Sequence, residues 1–333
     1  METKLNYKRT FLIGLAFLSI CSFWQMYDNI IPLILQNTYH LGETMTGAVM
    51  ALDNVLAIFL LPVFGALSDK VHTKLGRRMP FIVAGTILAV IFMMLLPMID
   101  NAEKARWNTG ESFSNQVIFL AVLFFTLVSM GLYRSPAVAL MPDVTPNHLR
   151  SRANAVINLM GAVGGVYALI MIKVLVGKGE TPDYLPLFAS IAAVMAIAVG
   201  ILVITIRENK LREEVEKAEA ANAGTIEEKA MAEGVEAAGE IEAVGDTGEV
   251  KSFDGKKQTG KTEGTKGMPK EVKRSMYFML ASIFLWFTAY NAVTTAFSRY
   301  TKVVWKMEGG SFANCLMVAT CLLYTSDAAD EAR

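Results

Sequence analysis

Two carboxylates stand inside long apolar stretches of the sequence, where a charge is costly. Asp28 lies in the apolar run at 11–35 and Asp53 in the next run, at 45–65. An ionised group at the centre of a membrane helix costs about 2.5–3.5 kcal/mol on insertion scales, so such residues usually serve a function. Each aspartate lies about eight residues, or ~12 Å of helix, from the connection between the two runs, which predicts similar depths. Two carboxylates at one depth repel when both are ionised, which favours the sharing of a proton or a cation.

Polar and aromatic side chains accompany these carboxylates. Ser22, Gln25, Asp28 and Pro32 share one helical stripe, which we expect to face a cavity. Hydrogen-bonding groups beside aromatic rings suit a sugar, which has hydroxyl groups and apolar C–H faces. The candidates for binding a ligand are Gln25, Tyr27, Asn54, Arg134, Asn291 and Thr295.

Each of these assignments has a structural alternative. The aspartates could simply hydrogen-bond to neighbouring helices, and a single aromatic ring could contact lipid. Arg134 is either the positive partner of the carboxylates or an interfacial residue whose charged end reaches the membrane surface.

The elements that position these residues are predicted to be membrane helices. The chain has 333 residues, of which 53% are hydrophobic, and a mean hydropathy of +0.39, which is too apolar for an ordinary soluble protein. A span needs about 20 apolar residues. That pattern predicts an all-α polytopic membrane protein with seven spans, at 11–35, 45–65, 80–97, 116–141, 154–176, 184–206 and 275–297, and an eighth that begins near 311.

The distribution of charge predicts the orientation. Lys+Arg and Asp+Glu are both 31, so no basic field indicates a nucleic-acid partner. Lys and Arg cluster before span one and after spans two, four and six, which predicts a cytoplasmic N-terminus in the inner (cytoplasmic) membrane. Arg299, Lys302 and Lys306, which follow span seven, break this rule.

Composition also divides the chain. Residues 1–206 form a predicted six-helix transmembrane half, and 207–273 a disordered cytoplasmic linker with almost no aromatic residues. Its first part, from Glu208, could extend span six as a charged helix. Residues 274–320 would begin a second transmembrane half. The segment 321–333 is expected to be a non-native tail, because CLLYTSDAADE resembles the translation of a sequencing adapter, so we expect the chain to be truncated there.

A motif joins spans two and three, and its residues could form a cytoplasmic latch. The segment from Gly65 to Lys70 reads GALSDK, and Gly76 begins a GRRMPF segment. An acidic residue near paired arginines can form ion pairs or cap a helix. The residues assigned to the latch are Gly65, Asp69, Lys70, Gly76, Arg77, Arg78, Asp143, Arg150 and Arg152; the alternative is that the basic residues only set topology. On span five, Gly161 and Gly165 predict close helix packing.

These motifs resemble those of the major facilitator superfamily, whose loop signature is G-x-L-x-D-[RK]-x-G-R-[RK]. Extra residues, 71–75, lengthen the loop here. The lengthened form, together with the RSPAVALMPD segment that begins at Arg134, is similar to the sucrose transporters and the glycoside-pentoside-hexuronide:cation symporters.

This resemblance implies a fold of two six-helix halves, of which the chain holds the first and the start of the second. It also implies a symporter that carries a sugar or glycoside with a cation by alternating access. Sodium carriers of the wider family have paired aspartates one turn apart on span two. Ala57 stands one turn after Asp53, so we expect a proton rather than sodium.

Two other classes of function have different requirements. An exporter of drugs or metabolites would share the same fold. A membrane sensor or enzyme is disfavoured, since the sequence has no metal-ligand cluster, nucleophile elbow or phosphate loop. We therefore expect no enzymatic activity and no cofactor beyond the coupling cation. The expected partners are a small-molecule substrate and the lipid bilayer, with no obligate protein partner.

Overall fold

A computed structural model of the chain describes residues 5–71, 73–107, 115–177, 179, 181–217, 270–307 and 310–320. The described part is helical and contains no β-strand. Its long helices are α1 (Tyr7–Asn37), α2 (Glu43–Lys70), α3 (Met79–Trp107), α4 (Gln116–Asp143), α5 (Arg150–Leu175), α6 (Leu185–Thr205) and α7 (Lys270–Val303), with a short 3-10 helix at Asn147–Leu149. All seven long helices contain an apolar stretch long enough to cross a membrane. The predicted all-α polytopic architecture is therefore confirmed.

Two compact units divide the chain. The first comprises Met1–Glu216 together with Thr294–Arg333, and the second comprises Lys217–Val293. The described part of the second unit consists of Lys217 and residues 270–293, which are the first 24 of the 34 residues of α7. The predicted limits of the linker, the second half and the non-native tail stay predictions, because residues 218–269 and 321–333 lie outside the described part.

In the first unit, contacts between helix ends indicate that successive helices α1 to α6 run in alternating directions. The N-terminal side holds the start of α1, the α2–α3 and α4–α5 connections and the end of α6. The opposite side, which we call the distal side, holds the α1–α2 connection, the end of α3 and the start of α6.

Helix α3 extends well past the predicted end at residue 97, as far as Trp107. The apolar pattern stops at Ile99, but the polar turn that follows stays helical because Lys104 Nζ donates to Asp100 Oδ2 one turn earlier, at 2.5 Å. The same ammonium also donates to the backbone oxygen of Pro182, which precedes α6. The polar end of α3 is thus attached to a neighbouring element, which hydropathy alone does not register.

Close backbone approach holds α1 against α5. A Cβ atom on Gly164 would lie 2.1 Å from the backbone oxygen of Leu18, and one on Gly161 would lie 3.0 Å from Cys21 Sγ. The predicted glycine packing face is confirmed, although the closest contact is made by Gly164 rather than by the Gly161 and Gly165 pair. Ser22 Oγ donates to the backbone oxygens of Leu18 and Gly164, both at 2.8 Å. The expectation that Ser22 faces a cavity is therefore wrong: its side chain faces α5.

A second close contact joins α3 and α4, and a buried hydroxyl pair links α4 to α1. A Cβ atom on Gly85 would lie 2.7 Å from the backbone nitrogen of Tyr133. The Tyr133 hydroxyl donates to the backbone oxygen of Ala16 at 2.9 Å and lies 2.5 Å from Ser19 Oγ. Helices α1, α3, α4 and α5, with α6 packed against α1 and α3, enclose most of the core.

Residues 208–217 differ from the expectation that they belong to a disordered linker or continue span six. Helix α6 ends at Thr205, because the backbone of Ile206 is extended (ψ 116°), and a separate helix follows at 208–217. Leu211 and Val215 on this helix are buried, and Arg9 Nη1 donates to Glu214 Oε2 at 3.1 Å. The segment is therefore held by apolar burial and by an ion pair to the start of α1.

At the distal side, the end of α7 contacts α1 and α2 within the first unit. Arg299 donates to Gln36 Oε1, and its Nη2 lies 3.2 Å from Glu43 Oε1. A Cβ atom on Gly310 would lie 2.3 Å from the backbone oxygen of Ile172 at the end of α5. Arg299, which broke the predicted charge rule, thus has an acidic partner at this side.

Candidate functional site

A small cavity lies between α1, α2 and α4, beside Asp53. It has a volume of about 20 Å³, and its lining residues are Trp24, Asp53, Leu56, Ala57, Leu60, Leu61, Leu127, Gly131 and Arg134. Helix α2 supplies Asp53 and, one turn later, Ala57, because residues four apart lie on the same face. Apolar side chains therefore surround one acidic and one basic group, whose interaction is stronger than it would be in water.

The basic group of this cavity lies against an aromatic ring. The guanidinium carbon of Arg134 is 5.5 Å from the centre of the Trp24 ring, within the range of a cation–π interaction. The charged end of Arg134 is therefore directed toward α1 and the cavity. The structure thus places Arg134 and Asp53 in the lining of one cavity, and the binding role of Arg134 stays a prediction.

Asp53 has both a hydrogen-bonding and an electrostatic neighbour. The side-chain amide of Asn54 donates to Asp53 Oδ1 at 3.0 Å. Asp28 on α1 is close enough to interact electrostatically with Asp53, as expected for two carboxylates at similar depth. A carboxylate in this setting can take up a proton, and Arg134 can stabilise its ionised form.

The other candidate ligand-binding residues are placed differently. Gln25 lies beside α5, where a Cβ atom on Gly165 would be 3.8 Å from Gln25 Oε1. Tyr27 is buried in the core, with its ring stacked on that of Phe23 at 6.0 Å between centroids, and it does not line the Asp53 cavity. The side chains of Asn291 and Thr295 lie outside the described part of the structure.

At the N-terminal side, the predicted latch residues form a connected set of ion pairs. Arg78 Nη2 lies 2.7 Å from Asp69 Oδ1, and Arg78 Nε lies 3.0 Å from Asp143 Oδ2. Arg77 Nη2 reaches the same Asp143 oxygen at 3.2 Å. Arg78 Nη1 also donates to Ser68 Oγ at 2.6 Å and, at 3.4 Å, to the backbone oxygen of Gly65. The ends of α2 and α4 are thus tied to the start of α3.

Three other residues assigned to the latch lie around this set. Arg150 bonds locally, donating to the backbone oxygens of Pro142 at 2.8 Å and Thr145 at 3.3 Å. Arg152 and Lys70 are exposed. Arg150 therefore fixes the α4–α5 connection rather than pairing with a carboxylate of the latch.

Comparison with known proteins decides the family. The family model described as Major Facilitator Superfamily matches residues 9–325, which is nearly the whole chain. The chain belongs to the major facilitator superfamily. Membership of this family indicates a transporter and not an enzyme. The described residues also contain no group of three or more His, Cys, Asp or Glu side chains that could hold a metal ion.

Curated relatives match a shorter stretch. The sucrose transport protein SUC4 of Arabidopsis thaliana is 35% identical over 116 residues, or 33% of this chain and 22% of its own length. The sucrose transport protein SUT3 of Oryza sativa subsp. japonica is 26% identical over 137 residues, or 39% of this chain and 27% of its own length. The matched part of the chain thus spans only about a quarter of the length of these relatives.

One further residue of the latch, Glu208, was not predicted from the sequence. Glu208 accepts hydrogen bonds from the backbone amides of Arg77, Arg78 and Met79 at 2.9–3.1 Å, and it is buried. Helix α3 begins at Met79, with Pro80 in its first turn, and the first amides of a helix need an external acceptor. These unpaired amides predict that some acceptor caps α3, but nothing in the sequence indicates that the acceptor lies some 130 residues away.

Proposed function

We propose that this protein is a secondary active transporter that carries a sugar or glycoside together with a proton. The supporting observation is the cavity in which Asp53, Arg134 and Trp24 meet from three different helices. Its groups match the needs of a sugar, since charged groups bond hydroxyls and an aromatic ring packs on C–H faces. The names of the curated relatives, which are sucrose transport proteins, point to the same class of substrate.

The volume of the cavity implies movement during transport. At about 20 Å³ it is far smaller than the roughly 300–1,000 Å³ of typical small-molecule sites. Helices α1, α2 and α4 would therefore have to separate for a sugar to enter. This is the behaviour required by alternating access, in which two halves rock about a central site.

Coupling would follow from competition for Asp53. When Asp53 is ionised, Arg134 is its natural partner; when it is protonated, Arg134 is released to bond a sugar hydroxyl. Occupancy by proton and by sugar would then favour one another. Ala57, which lines the cavity one turn after Asp53, presents a methyl group rather than a second carboxylate, and this supports a proton over sodium.

We also propose that the protein lies in the inner membrane with the N-terminal side facing the cytoplasm. The support is the excess of Lys and Arg at that side, including the latch arginines. A cysteine introduced at residue 252 should then resist an impermeant thiol reagent added to intact cells. Rapid labelling from outside would contradict this orientation.

The proposed function is tested by uptake and exchange in proteoliposomes that contain a full-length form of the protein, with both six-helix halves. A panel of labelled glycosides is offered with an inward proton gradient, with a sodium gradient, or with neither. We expect the proton gradient alone to drive accumulation of at least one glycoside. Accumulation driven only by sodium would overturn the coupling ion. Efflux of lipophilic cations without glycoside binding would instead favour the exporter alternative.

Two variants assign roles to the carboxylates. Asp53→Asn mimics the protonated side chain but cannot release a proton, so it should abolish accumulation while retaining counterflow exchange. If Asp28 binds the glycoside, Asp28→Asn should instead weaken glycoside binding directly. Glu213→Gln is the matched control, because Glu213 is exposed on the helix at 208–217, away from the cavity. If Asp53→Asn concentrates substrate as well as Glu213→Gln does, the coupling role belongs elsewhere.

A further inference from the structure

A cluster of buried polar groups lies at the distal side, separate from the Asp53 cavity and from the latch. It comprises Thr38 and Tyr39, which follow α1, Asp100 and Lys104 near the end of α3, and Tyr184, which precedes α6. We call this set the distal polar cluster. Asp100 is 0% exposed, Tyr184 1% and Tyr39 8%. Three elements of the first unit therefore bring polar groups together where bulk solvent does not reach them.

Within this cluster, Lys104 and one oxygen of Asp100 are paired. Lys104 Nζ donates to Asp100 Oδ2 at 2.5 Å and to the backbone oxygen of Pro182 at 2.6 Å. The same ammonium lies 4.9 Å from the centre of the Tyr184 ring. The charge of Asp100 is thus balanced by a direct ion pair, and only one of its oxygens is used.

Other polar atoms of the cluster are unpaired. Asp100 Oδ1 and the hydroxyls of Tyr39 and Tyr184 are buried and have no hydrogen-bond partner among the described residues. The two tyrosines are nonetheless near the carboxylate: the Tyr184 ring adjoins the ammonium that bonds Asp100, and Tyr39 directly follows Thr38 in the chain. Burial and the charge of Asp100 raise the pKa of both phenols. Thr38 lies beside the same carboxylate. The phenols therefore remain protonated donors, and neither donates directly to the carboxylate oxygen that Lys104 leaves unused.

We propose that the distal polar cluster binds internal water, which bridges Asp100 Oδ1 to the hydroxyls of Tyr39 and Tyr184. Buried polar groups that do not reach one another directly are commonly joined in this way, since a water molecule makes two to four hydrogen bonds. The water donates to the carboxylate oxygen and accepts from a phenol. It thereby ties the end of α1 to α3 and to the start of α6.

A cation fits the same groups less well. Lys104 already neutralises Asp100, so a second positive charge would lie close to the ammonium and be repelled by it. The described residues also supply no cluster of three acidic, His or Cys ligands. A neutral molecule that can both donate and accept satisfies the two kinds of unpaired group at once.

Radiolytic hydroxyl-radical labelling of the whole chain in detergent tests this site, because radicals formed from bound water label adjacent buried side chains. Tyr133 is the matched control: it is 0% exposed, and its hydroxyl is already bonded to Ser19 and Ala16. We expect Tyr39 and Tyr184 to be labelled about tenfold faster than Tyr133, since only they adjoin internal water. Labelling of both as slow as that of Tyr133 would overturn the proposal.

A variant and a change of salt sharpen the test. Tyr184→Phe removes one hydroxyl with little change of shape, so the labelling rate of Tyr39 should fall several-fold while that of Tyr133 stays constant. An unchanged Tyr39 rate would show that the two tyrosines share no water. If sodium chloride raises the unfolding temperature above that in choline chloride, and Asp100→Asn removes the difference, a cation occupies the site and water does not. None of these measurements depends on transport.

Discussion

The carboxylate of Glu208 offers the most direct test of how the latch is assembled. It is 1% exposed and accepts from three consecutive backbone amides at the start of α3, those of Arg77, Arg78 and Met79. These amides lack partners within their own helix, and a negative charge near them is also favoured by the helix dipole. Glu208→Ala removes all three bonds at once, whereas Glu208→Gln keeps an acceptor oxygen but loses the charge.

The expected loss follows from the number of bonds. Removing an ordinary N-cap costs about 0.5–2 kcal/mol, and a hydrogen bond to a charged group contributes about 1.5–3 kcal/mol. Water entering the truncated site can satisfy some of the amides, so the contributions do not simply add. We therefore expect Glu208→Ala to lower the free energy of unfolding by about 2–4 kcal/mol and Glu208→Gln by about 1–2 kcal/mol.

The measurement is SDS titration in mixed micelles, followed by far-UV circular dichroism. Glu213→Ala is the control, because Glu213 is an exposed glutamate on the same helix, and its loss should change the free energy of unfolding by no more than about 0.5 kcal/mol. If Glu208→Ala and Glu213→Ala unfold at the same SDS fraction, the carboxylate does not cap α3. The assignment of Glu208 to the latch would then be wrong.

Substitutions at Gly76 and Gly164 test two close contacts by the same SDS titration, each against a control glycine. Gly76 and Gly179 have nearly the same positive φ, 124° and 125°, but only a Cβ atom on Gly76 would meet another group, the carboxylate that caps α3, at 2.1 Å. Gly76→Ala should therefore cost about 1–3 kcal/mol more than Gly179→Ala, and equal losses would show that only backbone strain matters. Gly164→Ala places a Cβ atom 2.1 Å from a backbone oxygen of α1 and should cost about 1–3 kcal/mol. Gly200→Ala is its control, because nothing lies within 4 Å of the Cβ position, and it should be neutral or slightly stabilising. If Gly164→Ala were as stable as Gly200→Ala, the packing of α1 on α5 would be contradicted.

The periodicity of apolar residues predicted the helices well where lipid or core surrounds them. Span four was expected at 116–141 and α4 covers Gln116–Asp143. The prediction failed where polar residues continue a helix, as at the end of α3, and where a charged segment folds against a loop, as at 208–217. In both places a specific polar partner contributes: Pro182 for Lys104, and the backbone at 77–79 for Glu208, whose helix also buries Leu211 and Val215. Such partners are distant in sequence and leave no local pattern.

The amino-acid sequence by itself determined the membrane environment, the number of spans in the described part and the placement of Asp53 within one of them. It also identified the latch, because an acidic residue and paired arginines at a connection are expected to bond. The tertiary structure decided which neighbour each helix face meets. Ser22 was expected to face a cavity and faces α5, Tyr27 lies in the core, and Arg134 lies over Trp24 beside Asp53. The physical reason is that a period of 3.6 residues fixes which side chains share a face, whereas packing between helices fixes what that face contacts.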